Sequence, residues 1–263
     1  MGGQHGASRG LSPSAIAKFL ECPQKYKFSY IDRIKEPPSW QMHLGSFVHE
    51  VLENLYKLPA DQRNHETLKE LAARLWAENN WPAKIEELPK MLGSLADFKR
   101  SAFEAMTSLW ALEDPSVVEL DHMELEIETS IDGVQLFGIV DRIASDPDGS
   151  IVISDYKTGK IPDPRFSSDD GKWFQLLLYA AMYEATTGKR AKRLEYFYLA
   201  KNTKHELEVS NEKLQVAKEV VVNVRRGIDE ASTSGEFSCN VTNLCNWCHY
   251  KKIGICPAHI DHN

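Results

Sequence analysis

Cys22 stands near one end of the 263-residue chain, and Cys245, Cys248 and Cys256 stand more than two hundred residues away near the other. Any ligand shared by these four thiols would staple the two ends together around whatever the middle of the chain folds into. Such a staple calls for a single closed domain. A fifth thiol, Cys239, offers an alternative set in which it replaces Cys22, at the loss of the end-to-end link. An odd number of cysteines spread over a long chain argues against a disulfide scaffold, leaving metal ligation or free thiols in a reducing compartment. Zinc and iron–sulfur clusters both accept four thiolates.

Composition sets the outer bounds. With 42% hydrophobic and 26% charged residues, the chain can bury one large core, or a core with an elaboration. No run approaches the roughly 20 apolar residues that span a bilayer, and the polar, glycine-rich start is unlike a signal peptide. The expected location is cytoplasmic. A net charge of -7 does not by itself mark a nucleic-acid binder. Local basic density is higher: six bases against Glu195 alone from Lys189 to Lys204, and six against three acids in the first 36 residues. These runs offer either phosphate contacts or an ordinary solvated surface.

Ser12 and Pro13 begin a short helix that should end near Cys22-Pro23, and a second helical segment runs from about Met42 to Lys57, closed by Pro59. Helical composition continues from Asp61 to Leu112, with breaks at Trp81-Pro82 and Leu92-Gly93-Ser94. At Pro115 the pattern changes. Val117 to Ser130 alternates, Asp132-Gly133 supplies a hairpin turn, and Val134 to Ile143 returns as a strand. Asp146-Pro147-Asp148-Gly149 then turns the chain into Ile151-Val152-Ile153 and Asp155-Tyr156-Lys157-Thr158-Gly159. A helix over 171–187, strands over 193–199 and 205–209, and a long amphipathic helix started by Ser210 complete the reading.

Strand geometry gives the middle of the chain a chemical meaning. Side chains two apart share a face, so Asp155 and Lys157 project together while Tyr156 points away. Pairing across the Asp-Pro-Asp-Gly turn brings Asp141 towards Asp155, and two carboxylates with waters suit a hard divalent ion such as magnesium or manganese. The same spacing also serves a plain surface ion pair, so the triplet needs company. His49 supplies some, on a helical stripe with Gly45 and Glu53, where the glycine permits close backbone approach. Gln175 and Tyr179, likewise four apart, add an amide and a phenol on one helix face.

Gly45…His49, Gly138-Ile139-Val140-Asp141-Arg142, Asp155-Tyr156-Lys157-Thr158-Gly159 and Gln175-Leu176-Leu177-Leu178-Tyr179, in that order, resemble the motifs of the RecB-like branch of the PD-(D/E)xK nucleases. The resemblance implies Asp141 and Asp155 as ligands of magnesium or manganese, His49 as a further ligand, Lys157 as the catalytic lysine, and Gln175 and Tyr179 as supports of the site and DNA. Cys22 with Cys245, Cys248 and Cys256 is similar to the iron–sulfur clasp of AddB-type nuclease domains and of the fourth CRISPR-associated (Cas) protein family. That likeness implies a [4Fe-4S] cluster of structural rather than redox role.

The expected fold is α/β: a restriction-endonuclease-like core of mixed sheet flanked by helices. One domain spans 1–263, with a helical insertion over about 58–114, the nuclease core over about 115–231, and cluster-binding ends at 11–30 and 239–259. The implied activity is metal-dependent DNA exonucleolysis, preferring single-stranded ends, in repair, recombination or CRISPR spacer acquisition, with DNA as partner and a helicase or adaptation proteins as candidate associates. A non-catalytic iron–sulfur DNA-binding or assembly subunit on the same fold is the alternative, and a zinc-stapled structural protein a third. Aromatics near the thiols (Tyr26, Phe28, Trp247, Tyr250), interleaved with Lys25, Lys27, Lys251 and Lys252, are candidates for stacking on bases or for core packing.

Overall fold

Asp132 and Gly133 both take left-handed backbone angles, φ 49° and 80°, as a two-residue type I′ turn requires. They join β1 (Glu119–Ile131) to β2 (Val134–Ser145) with Ile131 opposite Val134. In the computed structural model, which describes residues 10–89, 93–162 and 169–259, the Asp-Pro-Asp-Gly turn then sets β3 (Ile151–Lys157) antiparallel to β2. β4 (Ala191–Tyr198) runs parallel to β3, and β5 (Thr203–Glu208) antiparallel to β4. The product is one mixed five-stranded sheet in the order β1-β2-β3-β4-β5. This agrees with the α/β fold class expected from the sequence.

Helices cover both faces. α1 (Pro13–Glu21) starts where the Ser12 hydroxyl accepts the Ala15 N–H, and α2 (Pro23–Tyr26) follows after the single residue Cys22. α3 (Trp40–Tyr56), capped by Ser39, leads into α4 (His65–Glu78), α5 (Trp81–Glu86), α6 (Leu95–Thr107) and α7 (Leu109–Leu112). The Trp81-Pro82 break opens a helix, because proline is tolerated in the first turn; Asn80 before it is left-handed at φ 48°. Of the second expected break, Leu92 lies outside the described residues, as does the glycine-rich start up to residue 9. The β3–β4 crossover carries α8 (Asp169–Thr187), Ser210 starts α9 (Asn211–Ser234), and α10 (His249–Lys252) lies among the C-terminal cysteines. No helix among the described residues is long and apolar enough to cross a membrane.

The sheet divides two apolar compartments. On one face, Ile153, Leu194 and Tyr196 pack with Leu176 and Met182 of α8, Val221 and Val224 of α9 and Ile16 of α1. On the other, Tyr156 and Phe197 meet Val48, Leu52 and Leu55 of α3 together with Leu68, Phe98 and Met106. The helices over 58–114 are therefore the outer layer of a core that begins on the sheet.

One cation crosses into that second compartment. Arg142 is 3% exposed; its guanidinium bonds Glu113 (Nη2 to Oε2 3.0 Å), the Tyr156 hydroxyl (2.9 Å) and the Tyr56 hydroxyl (3.2 Å). It thereby ties β2 to β3, α3 and the end of the helical layer. Truncation would leave Glu113 without its counter-charge in a low-dielectric setting. Arg142→Ala is predicted to lower the unfolding free energy by about 3–5 kcal/mol, read from urea denaturation; Arg142→Lys, which loses the planar fork, should fall between it and the parent.

Candidate active site

The hairpin register carries Leu125 opposite Val140 and Met123 opposite Arg142, so Glu124 falls across from Asp141. On the other side of β2, Arg142 pairs with Ser154, and one step further along Asp155 falls across from Asp141. Three carboxylates thus form a row over three neighbouring strands. Like charges placed opposite one another are unfavourable in a sheet. Glu124 also has a left-handed backbone, φ 49°, a strained state for a non-glycine residue that is found disproportionately at functional sites.

The other sequence-predicted residues converge on this row. His49 arrives from α3 with Nδ1 3.3 Å from Asp141 Oδ2 and Nε2 2.6 Å from the Tyr156 carbonyl. A carbonyl only accepts, so the proton sits on Nε2 and the Nδ1 lone pair faces the acids. Lys157 Nζ lies 2.9 and 2.7 Å from the two oxygens of Asp155 and donates to Gln175 Oε1 at 3.1 Å. The Gln175 amide in turn reaches the Tyr179 hydroxyl at 3.5 Å. Gly138 makes room for Tyr179, since a Cβ there would lie 2.7 Å from its ring. At Gly45 a Cβ would meet only Thr158 Oγ1 at 3.4 Å, so the close approach read from the sequence is looser there.

Electrostatics single out the same spot. Burial, then the charges of Asp155 and Glu124, hold the Asp141 carboxyl well above its ordinary range, with Lys157 opposing. Burial and Glu53 push Glu124 up to about 6, and burial lowers His49, leaving a neutral imidazole. The acids outnumber the one amine. Donor atoms of His49, Glu124 and Asp141 all lie within 4.8 Å of one another, a span that one divalent ion with bonds of about 2.0–2.6 Å can bridge. The donors therefore fit a hard or borderline cation. Glu124 was missed by sequence reasoning, which paired β2 with β3 but not β2 with β1; counting back across the Asp132-Gly133 turn from Asp141 finds it.

A second cluster joins the chain ends. Cys22, Cys239, Cys245, Cys248 and Cys256, all free thiols, line one cavity. The Gln24 N–H donates to the Ser238 carbonyl at 3.0 Å, and the Asn240 amide to the Glu21 carbonyl at 2.9 Å. Cys239 lies with the rest, its thiol pushed up to about 11 chiefly by burial, with Cys256 close by. The neighbouring aromatics divide: Tyr26, Phe28 and Tyr250 are buried, the last two with rings 4.9 Å apart, while Trp247 is 71% exposed. Core packing thus accounts for three of the four. Much of the 189–204 basic run is internally paired, Lys192 to Asp148, Arg193 to Asp146 and Lys204 to Glu206, so these side chains act as sheet-edge ion pairs.

Acids, an imidazole and one amine thus converge over the first three strands of the mixed sheet. The chain belongs to the PD-(D/E)XK nuclease superfamily, which its residues 10–257 match; members of that superfamily use divalent metals. It is 27% identical to the Gene 69 protein of Mycobacterium phage D29 over 73% of this chain and 76% of that protein. To the Gene 69 protein of Mycobacterium phage L5 it is 23% identical, over 72% and 75%. In fold it is similar to the crystal structure of a candidate exonuclease from Eubacterium rectale, with a TM-score of 0.58 and 15% identity, covering 94% of this chain and 92% of the other.

Two outcomes follow from the geometry. Glu124 binds its proton more tightly folded than unfolded, so it costs stability as pH rises from about 4.5 to about 6 and above. In metal-free thermal melts, Glu124→Gln should therefore gain on the parent above pH about 6 and match it below about 4.5. Gly138→Ala should destabilise by about 1–3 kcal/mol through overpacking against Tyr179, seen in the midpoint of chemical unfolding.

Proposed function

We propose that this chain is a magnesium- or manganese-dependent deoxyribonuclease of the RecB-like branch, acting as an exonuclease on single-stranded ends. The observation that carries the reading is the convergence of Asp141, Asp155, His49 and Lys157 on one spot, with Glu124 beside them. Asp141, Asp155 and His49 are the proposed ligands, and Glu124 joins them through its place in the carboxylate row. The ion, when bound, supplies Lewis-acid polarisation of a phosphodiester oxygen and eases deprotonation of water.

The chain's own groups set the geometry of attack. Lys157, held between Asp155 and the Gln175 carbonyl oxygen, is positioned to hold the attacking water and to offset negative charge growing on the phosphorus-bound oxygens. Gln175 is itself steadied by Tyr179, whose phenol, pushed up to about 12 by burial, keeps its proton. His49 stays neutral and donates from Nε2 to the Tyr156 carbonyl, which fixes the ring against β3. This poised lysine counts in favour of catalysis and against the non-catalytic subunit reading.

The five-thiol cavity supports a metal clasp between the chain ends, and the proposed ligands are Cys22, Cys245, Cys248 and Cys256 around a [4Fe-4S] cluster. Closing so long a loop restricts the unfolded chain by an amount on the order of 5 kcal/mol in the chain-entropy estimate for a covalent link. Visible absorption that bleaches on reduction, with matching iron and sulfide content, is the expected result; stoichiometric zinc with no colour would overturn the cluster. Cys22→Ala should lose metal content and thermal stability together.

Lys157→Ala and Asp155→Ala should each abolish metal-dependent degradation of end-labelled single strands while leaving the thiol-bound metal in place. Undiminished cleavage in both would reject the centre. Circular and duplex DNA, run beside the linear single strand, test the preference for ends.

A further inference from the structure

From the Lys157 side of the row a groove of about 1520 Å³ runs along the outer face of β2 to the N-terminal helices. It exceeds the roughly 300–1,000 Å³ of a small-molecule site, so its shape suits an extended ligand. Its walls come from distant parts of the chain: Tyr30 and Arg33 beyond α2, Phe137 on β2, Lys157 and Lys160 at the end of β3, Tyr198 on β4. The N-terminal wall is fixed by Leu11, whose N–H donates to the Gln135 carbonyl at 2.8 Å while its own carbonyl accepts the Phe137 N–H at 3.1 Å.

The groove is lined by bases that can meet a phosphate. Many surface bases of this acidic chain are tied to acids, among them Lys18, Lys25, Lys27, Lys57, Lys192 and Lys204. Arg33 and Lys160 are exposed and carry no salt bridge among the described residues, and both line the groove. Tyr30 beside them is 40% exposed, its ring stacked on Tyr26 at 5.1 Å, which holds it in place as a platform. On the opposite side of Asp141 a separate hollow holds the candidate ligands His49, Glu124 and Asp141 together with Glu50, Glu53 and Lys84. The groove carries Arg33, Lys157, Lys160 and Lys172 against Glu128, and the hollow four acids against Lys84, so the more cationic, aromatic approach lies on the Lys157 side of the row.

We propose that a single DNA strand lies in the groove, with Arg33 and Lys160 on its phosphates and a base stacked on Tyr30, feeding its end to Lys157. This rests on the nuclease reading for the identity of the ligand. Bases and aromatic rings together line the groove, the combination that sequence-tolerant single-strand sites use.

The test is fluorescence anisotropy of a labelled oligothymidylate with the full chain in buffer free of divalent metal. Arg33→Gln and Lys160→Gln should each weaken binding and reduce the slope of log affinity against log salt by about 0.7. Tyr30→Ala should weaken it about 5- to 150-fold, and Tyr30→Phe should restore it; Lys69→Gln, on α4 outside the groove, should change nothing. Unchanged affinity and slope in the three groove variants would overturn the assignment, as would duplex bound as tightly as single strand or oligouridylate bound more tightly than oligothymidylate. Binding is read without turnover, so failure of the groove shows as intact affinity whatever the cleavage. Failure of the nuclease reading shows as absent metal-dependent cleavage whatever the affinity.

Discussion

Three carboxylates facing one another across β1, β2 and β3 form an arrangement that a sheet does not adopt for its own stability. Cross-strand like charges repel, and partial burial raises the cost of each. Asp141 in the middle answers by holding its proton far above the ordinary range. Around it the chain has placed compensation on every side: the Tyr156 N–H on Asp141 at 3.3 Å, Lys157 on Asp155 at 2.7 Å, the His49 ring at 3.3 Å. Against three carboxylates the chain sets one ammonium, Lys157, so full ionisation of the row would leave two negative charges unbalanced, and that deficit is the electrostatic reason for reading the row as a cation site.

Holding such a row requires a rigid frame, and the frame lies on the reverse of the same strands. Arg142 follows Asp141 in sequence and points into the other compartment, where it grips the Tyr156 hydroxyl at 2.9 Å. Tyr156 lies between Asp155 and Lys157, and its backbone N–H and carbonyl are the groups met by Asp141 and His49. A single residue is thus pinned by its side chain on one face and by its peptide groups on the other. The helices over 58–114 take part, because Glu113 at their end balances Arg142.

How much of this could be read from the sequence depends on the range of the interaction. The hairpins were legible because Asp132-Gly133 and Asp146-Pro147-Asp148-Gly149 encode their turns locally, and the pairing of Asp155 with Lys157 follows from a two-residue strand period. The convergence of His49, Gln175 and Tyr179 came from resemblance rather than from spacing, since each reaches the site from a helix whose placement is tertiary. Glu124 was hidden among the acids Glu119, Asp121, Glu126 and Glu128 of the same strand, although the register of a two-residue turn fixes its partner. The covering role of the 58–114 helices was also hidden: periodicity shows that a helix has an apolar face but not that the face meets Tyr156 and Phe197 of the sheet.

The basic residues show the same limit from the other direction. Charge density along the chain drew attention to 189–204, yet much of that run lies beside acids brought close by the sheet, Asp146 and Asp148 in the turn and Glu206 on β5. Lys160 stands outside any basic run and Arg33 belongs to the one at the start of the chain, yet folding brings the two into one groove that opens at Lys157. A cation's availability to a phosphate depends on whether folding gives it another partner, so local charge counts overstate some segments and miss others. In this fold the N-terminal helices that carry Cys22 are also the wall that carries Tyr30 and Arg33. A clasp that fixed those helices to the C-terminal thiols would fix the groove wall with them, linking the proposed metal cluster to strand binding through position alone, with no need for electron transfer.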